Sequence, residues 1–156
     1  MHDGAPILLL REEQRLITEL HGILKEEQAA LVAADIDKLS ALTPRKSEVL
    51  GRMGVLAGER HKALGSAGFE AAEAGMENWL CTHGTPDDKA LWNSVLSQTR
   101  EAKELNRLNG MLINKQLSHT QGALQALRPP SPGGAVYGPT GLTATTTTTS
   151  RGFLAG

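Results

Sequence analysis

Residues 85–128 read TPDDKALWNSVLSQTREAKELNRLNGMLINKQLSHTQGALQALR, with a proline at position 86 and none between it and Pro129. Thr85 is a helix N-cap residue, and Pro86 suits the first helical position, where its missing N–H costs nothing. Asp87 and Asp88 follow at the positive end of the helix dipole. The apolar residues Leu91, Trp92, Val95, Leu96, Leu105, Leu108, Leu112, Ile113, Leu117, Leu124 and Leu127 recur at helical spacing. At ~1.5 Å per residue the spacing predicts a helix about 63 Å long. Each large side chain buried along it is worth roughly 1.5–3 kcal/mol, against about 1 kcal/mol for the cap. Such a helix holds only if other elements cover its stripe. Where that cover ends is the main functional question.

Toward the N-terminus the same periodicity returns. His83-Gly84 closes a shorter helix predicted from Phe69 to about Cys81, with Phe69, Met76, Trp79 and Leu80 on its apolar face. Gly65, Ser66 and Gly68 form a break. Thr43-Pro44 reads as a second cap-and-proline start, for a helix from Pro44 to about Leu64 carrying Val49, Leu50, Met53, Leu56, Ala57 and Leu64. Gly51, Gly54 and Gly58 lie inside it and cost up to about 1 kcal/mol each relative to alanine. Asp35 or Asp37 caps a short turn of helix holding Ile36, Leu39 and Leu42. The first helix is expected over 7–34. There Leu10, Ile17, Leu24 and Leu31 recur every heptad, as do Leu9, Leu16, Ile23 and Ala30, with Leu20 between them. Glu13 and Glu27 fall where a strict coiled-coil seam would place apolar residues.

Composition agrees. Hydrophobic residues make up 40% of the chain but aromatic ones only 3%, so its apolar surface is mostly Leu and Ala, which favours helix-on-helix packing over β-sheet layers. The expected fold is all-α: an elongated antiparallel helical bundle or hairpin of three to four helices, with a long last helix. After Arg128 the composition changes. Pro129-Pro130-Ser131-Pro132-Gly133-Gly134 is a cluster of helix breakers, and 145–149 is a run of threonines. In the tail, Val136, Tyr137, Leu142, Phe153 and Leu154 are the large apolar groups. Burying them cannot repay about 1–2 kcal/mol for every backbone ordered between 129 and 156. Two regions follow: a helical domain over 1–128 and a disordered tail over 129–156.

The formal net charge is −1 and the sequence pI about 6.5, a balance that draws the chain neither to nucleic acid nor to an anionic membrane. Arg100, Lys103 and Arg107 are interleaved with Glu101 and Glu104, as on a salt-bridged helix face. Cys81 is the single cysteine, which fits a reducing compartment. The apolar run 5–10 is shorter than a signal sequence requires and meets Arg11, Glu12 and Glu13 directly. No run approaches the ~20 apolar residues of a membrane span. A cytoplasmic protein is expected.

Catalytic and metal-binding patterns are missing. A di-metal bundle needs Glu-x-x-His, but Thr18, Gly58, Leu80 and Gln116 stand three residues before His21, His61, His83 and His119. Cys81-x-His83 has no second ligand pair. Phosphate-binding and nucleophile-elbow glycine motifs are absent. The chain is expected to be no enzyme and to need no metal or cofactor.

Asn106 and Asn109 lie beside the apolar stripe. An unpaired buried amide is costly, so the pair either satisfies a backbone group at a helix break, fixes the register between helices, or bonds a partner helix laid in a groove.

The pattern Glu27…Ala30-Leu31…Asp35…Leu39…Leu42…Lys46…Leu50, then Arg60…Leu64 and Trp79-Leu80…Trp92…Leu96, resembles the FlgN-type flagellar export chaperone family. So does the run Leu105-Asn106-Arg107-Leu108-Asn109-Gly110-Met111-Leu112-Ile113. Tyr137-Gly138-Pro139-Thr140-Gly141 is similar to that family's Tyr-Gly-x-x-Gly behind the last helix. The likeness runs from about residue 7 to 141. Pro44 and the threonine run depart from the pattern. The resemblance implies a chaperone that binds the helical C-terminal segments of hook–filament junction proteins, prevents their premature assembly and delivers them to the flagellar type III export gate and its ATPase machinery. It implies that the last helix binds cargo, here through Leu105, Asn106, Asn109, Leu112, Ile113, Leu117 and Leu124, and that Tyr137 docks at the gate. The competing reading is a generic helical coiled-coil adaptor or structural protein. That reading expects self-association through uninterrupted apolar heptads, which Glu13 and Glu27 break.

Overall fold

The computed structural model describes residues 5–129. They form four helices, α1 (Ala5–Ala33), α2 (Ile36–Ser66), α3 (Glu73–His83) and α4 (Pro86–Leu127), and no strand occurs among them. The chain divides into two units, Met1–Lys115 and Gln116–Gly156. The expected tail, including Tyr137 and the threonine run, lies outside the described residues.

In the first unit, α1 ends by a double closure. The Asp35 N–H donates to the Ala30 carbonyl (2.8 Å) and the Ala34 N–H to that of Leu31 (3.2 Å), with Ala34 in the left-handed region at φ 54°. Asp35 then caps α2, its carboxylate accepting from the Lys38 N–H at 3.1 Å. One residue therefore helps to end one helix and starts the next.

The helix start expected at Pro44 is corrected: α2 runs unbroken from Ile36 to Ser66 with Pro44 inside it. Thr43 does not cap; its hydroxyl donates back to the Leu39 carbonyl at 2.9 Å. Pro44 has no N–H to offer the Ser40 carbonyl, but both residues are exposed to water. Leu42 and Val49, on either side, are 3% exposed. Tertiary packing holds the helix through a position that local propensity would break. Gly51, Gly54 and Gly58 all face solvent.

The third helix, by contrast, starts later than expected, at Glu73 rather than Phe69. The Phe69 N–H instead donates to the Leu64 carbonyl (2.9 Å), closing the end of α2, and Phe69 packs against the core from the connection. A β-carbon on Gly75 would collide with the Glu70 carbonyl, so the tight approach into α3 requires glycine there. The start of α4 is as the sequence predicts. The Asp88 N–H donates to Thr85 Oγ1 (3.1 Å) and the Thr85 N–H to Asp88 Oδ2 (3.0 Å), a reciprocal capping box.

Two apolar clusters form the core. The first gathers Ile7 and Leu10 from α1, Leu64 from α2, Met76, Trp79 and Leu80 from α3, and Trp92 and Val95 from α4. The second gathers Leu16, Ile17, Leu20, Ile23 and Leu24 from α1 with Leu42 and Val49 from α2 and Ala102 from α4. α2 packs antiparallel to α1, so Glu13 meets Arg60 and Glu27 meets Lys46. α4 runs parallel to α1: Gln14 bonds Ser94 (3.3 Å), Gln98 bonds Thr18 (3.2 Å) and Asn109 bonds the Leu24 carbonyl (2.9 Å).

Candidate docking surface on the last helix

Two buried polar layers fix the register of the first unit. In one, Arg60 of α2 is 2% exposed and reaches three other helices. Its Nε donates to Glu13 Oε1 of α1 at 2.6 Å and its Nη2 to Glu73 Oε1 of α3 at 2.9 Å, while its guanidinium carbon stands 5.0 Å from the centre of the Trp92 ring on α4. Burial works against the Arg60 charge, but the hydrogen bonds and charges of Glu13 and Glu73 outweigh it and hold the guanidinium above its ordinary pKa.

In the other layer, Glu27 Oε1 accepts from Lys46 Nζ (3.1 Å) and from Asn109 Nδ2 (2.9 Å). The same Lys46 Nζ donates to Asn106 Oδ1 at 2.7 Å. Glu13 and Glu27, which interrupt the apolar heptads of α1, are thus the acidic halves of the two layers, each 7% exposed.

This places the residues that the sequence nominates for cargo. Asn109 is 1% exposed, and its amide donates to the Leu24 carbonyl and to Glu27 of α1. It fixes register within the chain. Asn106 is exposed but engaged by Lys46, and Leu105 is half-buried against the second cluster. Leu112 is half-buried, whereas Ile113 is 40% exposed. In the second unit Leu117 is 55% and Leu124 63% exposed. The sequence stripe also held Leu108 and Leu127 but did not single them out. Leu108 is exposed and Leu127 is 80% exposed, as is Met111 at 55%. Beyond Asn109 no described residue of α4 is fully buried. An uncovered row of this kind is apolar helix surface of the type that an amphipathic partner can cover.

A small cleft in the body of the first unit is a second candidate. An apolar cleft of about 180 Å³ lies in the first unit between Ile17, Leu20 and Leu24 of α1, Leu50 and Met53 of α2, and Ala102 of α4. Small-molecule sites are usually ~300–1,000 Å³, and this cleft falls below that range. Among the described residues no cluster of His, Cys, Asp or Glu is arranged to hold a metal ion, and no helix is long and apolar enough to cross a membrane.

Comparison with known proteins agrees with this architecture. The chain matches the family model described as FlgN protein over residues 1–145. It is 24% identical to the flagella synthesis protein FlgN of Escherichia coli (strain K12) over 140 residues, covering 88% of this chain and 89% of that protein. It is 28% identical to the flagella synthesis protein FlgN of Proteus mirabilis over 114 residues, 72% of each chain. Against the protein of the same name from Salmonella typhimurium it is 25% identical over 126 residues, 78% of each. No solved structure matches the chain. A family match that takes in all four helices, joined to relatives aligned over most of their length, shows that the chain belongs to the FlgN family of flagellar proteins.

Proposed function

We propose that this protein is a cytosolic chaperone of flagellar type III export that binds the C-terminal amphipathic segments of hook–filament junction proteins, keeps them from assembling early and delivers them to the export gate. Its family is one of chaperone-type flagellar proteins and not of enzymes. The observation that carries the reading is the exposure of Met111, Ile113, Leu117, Leu124 and Leu127 on a helix whose earlier residues Trp92, Val95 and Ala102 are buried. Segments that later build a coiled core are amphipathic and lack a partner as monomers. A chaperone for them must offer apolar helix surface and later give it up.

Within this reading Leu112, Ile113, Leu117 and Leu124 contact cargo directly. Leu105, Asn106 and Asn109 belong to the same stretch of helix but hold α4 against α1 and α2 in the free protein. Tyr137, in the segment behind α4, docks at the gate. The helical domain over 1–128 is the chaperone body, and 129–156 is the tail that presents Tyr137.

Calorimetric titration of the full chain with C-terminal peptides of the junction proteins, and with a flagellin C-terminal peptide as control, tests this. Sub-micromolar binding with a negative heat-capacity change, absent for flagellin, is the expected result. If a correctly folded chain bound no junction peptide, the helical adaptor reading would replace it.

A further inference from the structure

All 17 aspartates and glutamates of the chain lie at or before Glu104. From Leu105 onward the charged side chains are Arg107, Lys115, Arg128 and Arg151, all basic. We infer that the segment docking on the last turns of α4 is an acidic amphipathic helix, with Asp or Glu flanking its apolar stripe. This rests on the chaperone reading and deepens it by naming the chemistry of the partner.

Its support lies in which of these cations the chain leaves unpaired and in the lack of carboxylates beside them. Arg107 is matched within the chain by Glu104 at 2.7 Å. Lys115 and Arg128 are exposed and make no ion pair with any described residue. In α1 and α2, Arg15, Lys38, Arg45, Lys46, Arg52 and Arg60 each stand within 4 Å of a glutamate, whereas Arg11, Lys25 and Lys62 make no ion pair with a described residue but have carboxylates along the same helices. An acidic segment laid along 105–128 meets cations and no side-chain carboxylate. A basic segment meets only like charge, and the contrast selects between them.

An anionic membrane or a nucleic acid is the other polyanionic class, and the helix suits neither. Helices that lie in a membrane interface carry many Lys and Arg on the polar face and Trp or Phe on the other. Here the polar positions are mostly neutral, such as Asn114, Ser118, Thr120, Gln121 and Gln125, and no aromatic residue falls between Trp92 and Tyr137. Two unpaired cations are too few for a phosphate-tracking stripe.

The test uses the full chain and two synthetic amphipathic peptides that share one apolar stripe, one flanked by Glu and one by Lys. Each is titrated at about 50 mM and about 500 mM salt, alongside the junction-protein peptides. The Glu peptide should bind roughly tenfold tighter at low salt, with the gap closing at high salt. The double variant Lys115→Glu/Arg128→Glu, both positions exposed and its fold checked by circular dichroism, should abolish or reverse the preference.

Equal binding of the two peptides, or a preference insensitive to salt and to the double variant, overturns the inference. If neither synthetic peptide binds while a junction peptide does, the inference falls and the chaperone reading stands. If nothing binds, both fall. Binding to anionic phospholipid vesicles in place of either peptide overturns it in favour of a membrane surface.

Discussion

The two ends of α4 carry the same kind of leucine-rich stripe and meet opposite fates. Trp92, Val95 and Ala102 are 4%, 6% and 3% exposed, whereas Leu117, Leu124 and Leu127 are 55%, 63% and 80% exposed. Helical periodicity therefore reports that a face exists; it does not report what covers it. The cover runs out for a simple reason. Asn109 lies opposite Leu24 and Glu27, and α1 stops at Ala33, under two turns beyond Glu27.

The contrast breaks most severely at Arg60. Replacing it with alanine leaves Glu13 buried without its cation and removes the link from α2 to α3 and to Trp92. Arg60→Ala should cost about 3–5 kcal/mol in urea unfolding. A loss under about 1 kcal/mol would mean that the layer is hydrated and adds little to the covered end.

Leucine truncation measures the comparison directly. Leu64→Ala, at a side chain with no exposure, should cost about 2–5 kcal/mol. Leu124→Ala should stay within about 0.5 kcal/mol, because it removes no buried contact. The ranking should invert for cargo: on the proposed reading Leu124→Ala weakens binding of junction peptides. Equal stability losses at the two sites would show that α4 beyond Asn109 is covered in solution, as by self-association.

Asn109 sits at the boundary. Asn109→Ala removes two hydrogen bonds to α1 and should destabilise the chain by about 1–3 kcal/mol. Loss of cargo affinity without loss of stability would instead make it a contact residue.

Much of this was legible. The Thr85 capping box, the α1 stripe and the burial of Met76, Trp79 and Leu80 follow from local chemistry that a sequence displays. Pro44 misleads because its helix is held by Leu42 and Val49 packing on α1, information that is not local. The partners of Glu13 and Glu27 were hidden for the same reason, since Arg60 is 47 residues from Glu13 along the chain. A signal existed: Glu13 and Glu27 are two heptads apart on α1, and Lys46 and Arg60 are two heptads apart on α2, the spacing an antiparallel hairpin brings into register. Of the residues nominated for cargo, Ile113, Leu117 and Leu124 are exposed and Leu112 is half-buried, while both asparagines are bonded within the chain, Asn109 buried and Asn106 exposed. Sequence shows where polar groups interrupt a stripe, but only the fold shows whether the chain satisfies them itself. The absence of carboxylates after Glu104 was equally visible, and it was obscured by a net charge near zero.

The smallest effect is expected at Glu73, and its sign can be derived. Burial alone would raise its carboxyl pKa; the hydrogen bond and charge of Arg60, with a lesser contribution from His61, take it below the ordinary 4.5. The unfolded chain therefore takes up this proton at a higher pH than the folded one. The stabilisation is fully present above about 4.5 and is lost as pH falls through the lower folded value. With a side chain 57% exposed, solvent screening limits it to under ~1 kcal/mol. Glu73→Gln should lower the urea midpoint slightly at pH 7 and converge with the parent in acid. Glu104 is the control from α4: Arg107 lowers its pKa too, but both side chains are 57% exposed. Glu104→Gln should move the acid limb in the same direction but less than Glu73→Gln, because solvent screens both partners of the pair. If Glu104 moved that limb as much as Glu73, exposure would not separate the ion pair on α4 from the one that Glu73 of α3 makes with buried Arg60, and the preference for an acidic partner would have to compete with an internal ion pair.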